Sequence, residues 1–165
     1  MKPFYCFLTV MLTVVGLVSA EKVTFDTKYS VEFPEGWKKS ANPRKDALVY
    51  RETEAGDASF AIAKLELPEN AKADLKATLK SMIDGFKQGM TVLEEPKMTE
   101  GAVDGKQAQF ARVFVKAGEH KLDFFLVAVD GVDRVFIMQA TLPASASEKS
   151  RNDCMKVIQS FEESR

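Results

Sequence analysis

The sequence predicts an α+β fold in which an antiparallel β-sheet is sandwiched between two amphipathic helices, an α/β/α sandwich. Two observations carry this prediction. Three long segments in the second half of the chain alternate their side chains at period two, and both faces that this alternation produces are apolar. Two further segments repeat apolar residues at helical spacing, one before these strands and one after them. Because each apolar face must be covered, the two helices are the predicted covers.

The three long strands are predicted at 107–116, 121–129 and 134–142 and form a meander. Tight turns at Gly118-Glu119 and Gly131-Val132 join them, so the first hairpin is expected to close on Ala117 and His120 and the second on Asp130 and Asp133. One face of this sheet then carries Phe110, Phe114, Phe125, Val127, Phe136 and Met138. The other carries Ala111, Val113, Val115, Leu122, Phe124, Leu126, Val135 and Ile137.

Shorter strands are predicted at 29–33, 47–53, 59–67 and 91–95 from their alternation and the turn residues between them. The first helix is predicted over 70–88 and ends near Gly89. The second follows a capping-box pattern that starts at Ser145 and ends at Glu148. Its apolar stripe includes Cys154, which we expect to be a buried and unreactive core residue.

The N-terminal segment has the pattern of a secretory signal peptide. Lys2 precedes a stretch from Phe4 to Ala20 without any charged residue, and small side chains stand just before Glu21. We therefore expect a signal peptide at 1–20, cleavage after Ala20, a single globular domain at 21–165, and a periplasmic or extracellular location. The alternative is an uncleaved membrane anchor, because the uncharged stretch is close to the roughly 18–20 residues that span a bilayer.

Composition excludes several classes of function. The 165 residues carry 23 Lys and Arg against 24 Asp and Glu, a net charge of −1, which gives no electrostatic reason to expect nucleic acid. With one His and two Cys, the usual metal clusters and histidine-based catalytic arrangements are nearly unavailable. No phosphate-binding, nucleophile-elbow or zinc-protease motif occurs. The sequence predicts a protein that is not an enzyme and that needs no cofactor or metal.

Three short motifs resemble the PsbP-like superfamily: Tyr-Ser-Val-Glu-Phe-Pro-Glu-Gly-Trp at 29–37, the turn Val-Asp-Gly-Lys at 103–106, and Val-Ile-Gln-Ser-Phe at 157–161. The superfamily includes an extrinsic photosystem II subunit, a Ran-binding import factor and bacterial envelope proteins of the DcrB type. The resemblance extends from about Val23 to Glu162. It implies an α/β/α sandwich with a non-catalytic binding or assembly role. The signal segment favours the DcrB-type envelope branch.

Three residues are candidates for ligand or partner binding. Trp37 is the only tryptophan and follows a turn, either as an aromatic anchor of an interface or as a residue that caps the core. Arg112 and Asp123 fall on the aromatic face as diagonal neighbours. They form a structural ion pair if a helix covers them, or they line an open pocket for a polar or anionic ligand group if the helix does not reach this end of the sheet. His120 and the pairs Glu94-Glu95 and Asp130/Asp133 are better explained as turn and strand-end residues.

Two functions are therefore predicted. The first is an exported non-catalytic binding or assembly protein of the bacterial envelope that acts through an unidentified envelope protein or membrane complex. The alternative is a protein that binds a small ligand in a pocket at the aromatic face of the sheet. Direct membrane contact is expected only if the signal segment is not cleaved.

Overall fold

The computed structural model describes residues 20–68, 71–131 and 134–164, in which the chain forms strands and two helices. The strands are β1 (Glu21–Phe25), β2 (Tyr29–Phe33), β3 (Trp37–Lys39), β4 (Ala47–Thr53), β5 (Ser59–Glu66), β6 (Thr91–Val92), β7 (Lys97–Val103), β8 (Lys106–Ala117), β9 (His120–Asp130), β10 (Arg134–Pro143) and β11 (Glu162–Glu163). The helices are α1 (Leu75–Gly89) and α2 (Glu148–Gln159). The predicted signal segment lies outside the described residues except for Ala20, and within the described parts of the chain no helix is long and apolar enough to span a membrane.

Most strands belong to one antiparallel sheet with the order β3-β4-β5-β10-β9-β8-β6, in which β7 also pairs with β8. A second, three-stranded sheet has the order β1-β2-β11. The predicted long strands are confirmed within one residue at each end. The strands β1, β3, β7 and β11 were not predicted, because they are short or, in β7, mostly exposed and without an alternating apolar pattern.

The first long hairpin has the predicted register. Ala117 lies opposite His120, and Arg112 lies opposite Phe125. Gly118 has a φ of 59° in the two-residue turn, a conformation that glycine adopts without a steric penalty.

The register predicted for the second hairpin is wrong by two residues. Asp130 lies opposite Val135, whereas the sequence indicated a tight turn that would pair it with Asp133, a residue outside the described part of the chain. The connection is wider, and Gly131 N donates to Arg134 O at 2.8 Å. Because side chains alternate at period two, a shift of two residues leaves every side chain on its predicted face.

The predicted two-helix sandwich is only partly correct. Helix α1 covers one face, with Leu75, Leu79 and Ile83 buried against the sheet. The other face is covered jointly by α2 and the three-stranded sheet, so the structure is dominated by β-strands. Helix α2 is about 18 Å long at ~1.5 Å per residue, whereas the sheet is seven strands wide, because β6 and β7 share one edge of β8, and at ~4.8 Å spacing it measures about 29 Å across. One such helix is too short to cover that face, and β1 and β2 bury the remainder.

The helix starts also differ from the sequence prediction. Helix α1 begins at Leu75 behind the N-cap Asp74, whose carboxylate accepts from Ala77 N at 2.8 Å. Helix α2 is capped by Ser147, not by Ser145, and the Ser147 hydroxyl accepts from Ser150 N at 3.0 Å. The physical reason is a turn before the helix, in which Ala146 N donates to Pro143 O at 2.9 Å.

Cys154 lies on α2, in the hydrophobic core of the protein, and has no exposed surface. Burial raises the pKa of its thiol to about 12, so the reactive thiolate is almost absent at neutral pH. In a Cys6→Ser background, we expect a maleimide to label the folded protein at least about a hundredfold more slowly than the urea-unfolded protein. Equal labelling rates in the two states would contradict the core assignment.

Candidate binding site

Arg112 and Asp123 form the ion pair that the hairpin register predicts. Arg112 Nε donates to Asp123 Oδ1 at 2.8 Å, and Arg112 Nη2 donates to Asp123 Oδ2 at 2.7 Å. The two side chains differ sharply in burial: that of Asp123 is 0% exposed, whereas that of Arg112 is 57% exposed. The guanidinium carbon of Arg112 also lies 5.6 Å from the centroid of the Phe125 ring. The guanidinium therefore connects a buried carboxylate to the surface.

A second arginine, Arg151 of α2, completes the cluster. Its Nη1 donates to Asp123 Oδ2, and its Nη2 donates to Ala144 O at 3.1 Å. Burial by itself would raise the pKa of Asp123, but the hydrogen bonds from the two arginines outweigh burial and hold this pKa below its ordinary value. Asp123 is thus an ionised carboxylate that fixes both guanidinium groups and joins α2 to the sheet.

A cavity of about 270 Å³ opens beside Arg112, between the sheet and α2. Its lining residues come from β7, β8, β9 and α2 and are mostly apolar: Lys97, Thr99, Phe110, Ala111, Arg112, Phe125, Leu126, Val127, Met155 and Ile158. An apolar concavity with a few polar groups at its edge is the usual form of a small-ligand site. Asp123 is not part of the lining, since it lies behind Arg112.

One wall of the cavity depends on a glycine in the edge strand. A Cβ added to Gly101 of β7 would lie 2.9 Å from Cε2 of Phe110, closer than real Cβ contacts come. The ring of Phe110 therefore lies across β7 because this position has no side chain. Gly101 allows the ring to form part of the cavity wall.

The rim of the cavity is positively charged on balance. Lys97 is exposed and has no ion-pair partner among the described residues. The hydrogen bonds to Asp123 contribute most to raising the pKa of Arg112, and the nearby carboxylate of Glu94 adds a smaller contribution. Of the residues that line the cavity, Lys97 and Arg112 are cationic and none carries a carboxylate, whereas Glu94 and Glu95 lie with these two cations in a hollow next to it.

The structure does not bring Trp37 to this site. Trp37 is 7% exposed, its ring centroid lies 5.6 Å from that of Phe33, and it is not among the residues that line the cavity. Its Nε1 has no hydrogen-bond partner in the described part of the chain. The side chain belongs to the core, as one of the two sequence interpretations expected, and a binding role for it stays a prediction.

The remaining titratable candidates lie apart from one another. His120 is exposed at the end of a hairpin, and Glu94 and Glu95 are exposed before β7, where Glu95 pairs with Lys87 at 3.8 Å. Within the described ranges, no three side chains of the kinds that bind metals are grouped closely enough to hold an ion.

Sequence reasoning missed four residues of the site: Lys97, Thr99, Met155 and Arg151. The first two lie on β7, which has no periodic pattern, and only pairing with β8 reveals its position. Arg151 lies on the helix that the sequence predicts, and a search for cations able to reach Asp123 from that helix would have found it.

An eight-stranded antiparallel sheet, with α1 on one face and α2 beside a small sheet on the other, is a PsbP-like fold, and solved structures of this class match the chain over most of its length. The solution structure of cyanobacterial PsbP (CyanoP) from Synechocystis sp. PCC 6803 matches with a TM-score of 0.65 at 13% identity, over 91% of this chain and 95% of that one.

Two further matches are the Ran-binding protein Mog1p of Saccharomyces cerevisiae and LpqN of Mycobacterium tuberculosis, which is described as involved in cell envelope biogenesis. The first has a TM-score of 0.60 at 13% identity, over 88% of this chain and 95% of that one. The second has a TM-score of 0.58 at 11% identity, over 89% and 91%. At these identities the likeness establishes the fold alone. No family model and no curated protein matches the sequence.

Proposed function

We propose that this chain is an exported, non-catalytic binding protein of the bacterial envelope, similar to the DcrB-type proteins, that holds a small ligand in the cavity beside Arg112. The observation that carries this proposal is the apolar cavity of about 270 Å³ between β7, β8, β9 and α2. Export is supported by the charge-free segment before Glu21 and by the fold shared with LpqN. Mass spectrometry of the envelope fraction is expected to find Glu21 at the N-terminus.

The chemistry of the lining supports binding without catalysis. Of the groups that line the cavity, only Thr99 carries a hydroxyl, and the lining contains no carboxylate, imidazole or thiol to activate it. Phe110, Phe125 and Met155 instead offer aromatic and thioether surfaces that bind apolar groups. The site therefore has the means to hold and orient a ligand, and none of the usual pairs that transfer protons.

The test uses a small neutral aromatic compound, 3-phenylpropionamide, in a ligand-observed NMR titration of the purified protein. Wild type is expected to bind this probe, and Thr99→Trp is expected to weaken binding at least about tenfold, because the indole would occupy the cavity. Thr99 is exposed on an edge strand, so the substitution does not disturb the core. The matched control is Thr24→Trp on β1, which is also exposed and does not line the cavity, and this variant should bind as wild type does.

Failure of wild type to bind the amide, or equal binding by wild type and Thr99→Trp, would overturn the cavity as the functional site. In that event the protein-partner function becomes the better candidate. A separate observation favours it: Leu48 on β4 and Leu65 on the neighbouring β5 are 40% and 47% exposed. Loss of partner capture from native envelopes by a Leu48→Ser/Leu65→Ser variant, with probe binding unchanged, would assign the function to that surface.

A further inference from the structure

We propose that the cavity selects small organic monocarboxylates, with the apolar body of the ligand inside and its carboxylate on the outer edge of the Arg112 guanidinium. This inference rests on the proposed function, because it names the class of ligand for the same cavity. It is carried by three features of the described residues: the hydrogen-bond donors that Arg112 has left, the way its guanidinium is fixed, and the charge and size of the site.

Arg112 has hydrogen-bond donors to spare. A guanidinium has five N–H donors, and Asp123 accepts two of them, one from Nε and one from Nη2. Both N–H groups of Nη1 and the second one of Nη2 have no acceptor among the described residues. One N–H of each Nη points along the end of the planar group, and this pair matches the two oxygens of a second carboxylate. Since the side chain is 57% exposed, a ligand can reach this edge.

The guanidinium is held in place before any ligand arrives. Asp123 accepts hydrogen bonds on one side of the guanidinium, and the centroid of the Phe125 ring lies 5.6 Å from the guanidinium carbon. Arg151 in turn fixes the carboxylate of Asp123. An arginine that is already ordered loses less conformational entropy when it binds an anion. Asp123 and Arg151 are therefore positioning residues, and Arg112 is the residue that contacts the ligand.

Charge and volume narrow the class of ligand. The lining carries two cations and no carboxylate, which favours an anionic ligand, and Arg112 has one free edge with two donors, which fits one carboxylate. A cavity of about 270 Å³ lies near the lower end of the roughly 300–1,000 Å³ of small-ligand sites, which favours one aromatic ring or a short aliphatic chain. The expected ligand is therefore a small aromatic or short-chain monocarboxylate.

The experiment compares two compounds of nearly equal shape, 3-phenylpropionate and 3-phenylpropionamide, by ligand-observed NMR with the purified protein near pH 7. Wild type is expected to bind the carboxylate at least about tenfold more tightly than the amide, because charge-assisted hydrogen bonds to Arg112 form only with the anion. In Arg112→Gln the affinities for the carboxylate and the amide should become about equal. Continued binding of the amide by this variant shows that it is folded.

A second variant keeps the test independent of the Asp123 cluster. Lys97→Gln changes an exposed residue and should reduce carboxylate affinity about two- to threefold more than it reduces amide affinity. The matched control is Lys39→Gln on the exposed edge of β3, which should change neither affinity. Equal affinity of wild type for the two compounds would overturn the carboxylate inference and leave the cavity intact as a binding site. Failure of wild type to bind the amide would instead overturn the proposed function, on which this inference rests.

Discussion

Replacing Phe136 by alanine is expected to reduce the free energy of unfolding by about 3–5 kcal/mol. Phe136 has no exposed surface and lies where the two sheets meet. Its ring centroid is 4.4 Å from that of Tyr29, 5.7 Å from that of Phe25 and 5.8 Å from that of Phe161. Removing the ring leaves a cavity among three other aromatic rings and loses the contacts that attach the three-stranded sheet to the main sheet.

Urea denaturation followed by the fluorescence of the single tryptophan, Trp37, measures this effect. Phe114→Ala is the matched control, because Phe114 lies on the same face of the main sheet but is only partly buried. We expect the control to lose about 1 kcal/mol. A loss from Phe136→Ala no larger than that of the control would show that the aromatic cluster does not join the two sheets.

Removing the buried carboxylate of Asp123 is expected to cost about 2–4 kcal/mol of the free energy of unfolding. Asp123→Ala abolishes three hydrogen bonds to charged groups and leaves Arg112 and Arg151 close together. The expected loss lies at the lower end for buried ion pairs, since both arginines have access to water. Arg112→Ala is expected to lose only about 1–2 kcal/mol, because Arg151 continues to neutralise Asp123.

A double-mutant cycle on Arg112 and Asp123 measures the coupling directly, and the double variant should lose about 1 kcal/mol less than the sum of the single losses. The chain contains a matched control in Arg44 and Asp46, which form the same two-bond geometry at 3.1 and 2.7 Å. These side chains are 43% and 61% exposed, so their removal should change stability by about 0–1 kcal/mol. Additive losses at Arg112 and Asp123 would contradict the ion pair as a stabilising contact.

The site could be predicted in part because local rules determine strand pairing. A two-residue turn at Gly118-Glu119 determines the register of β8 and β9, and that register alone places Arg112 and Asp123 on one face as diagonal neighbours. The sequence left two alternatives open for Arg112 and Asp123, a structural ion pair or an open pocket. The structure shows that the pair is present and that Arg112 also borders the cavity, since its side chain reaches from the buried carboxylate to the surface.

The second hairpin shows where local rules stop. Its turn sequence indicated two connecting residues, but the described pairs close on Asp130 and Val135. Gly131 lies close to a core side chain, because a Cβ there would be 2.8 Å from Cε2 of Phe136. The close approach of Gly131 to Phe136 accompanies the wider connection, and no local sequence rule encodes such a contact.

The sequence by itself determined the alternation that gives the sheet two apolar faces, the helical stripes of α1 and α2, and the burial of Cys154, since these follow from side-chain period and hydrophobicity. Only the tertiary structure decided what covers the second face and where the cavity lies. Both depend on contacts between segments far apart in the chain: β1 and β2 pack on β10, and β7 joins β8 opposite α2. Such contacts are selected by how surfaces fit together in space, a property that the periodicity of a single segment does not contain.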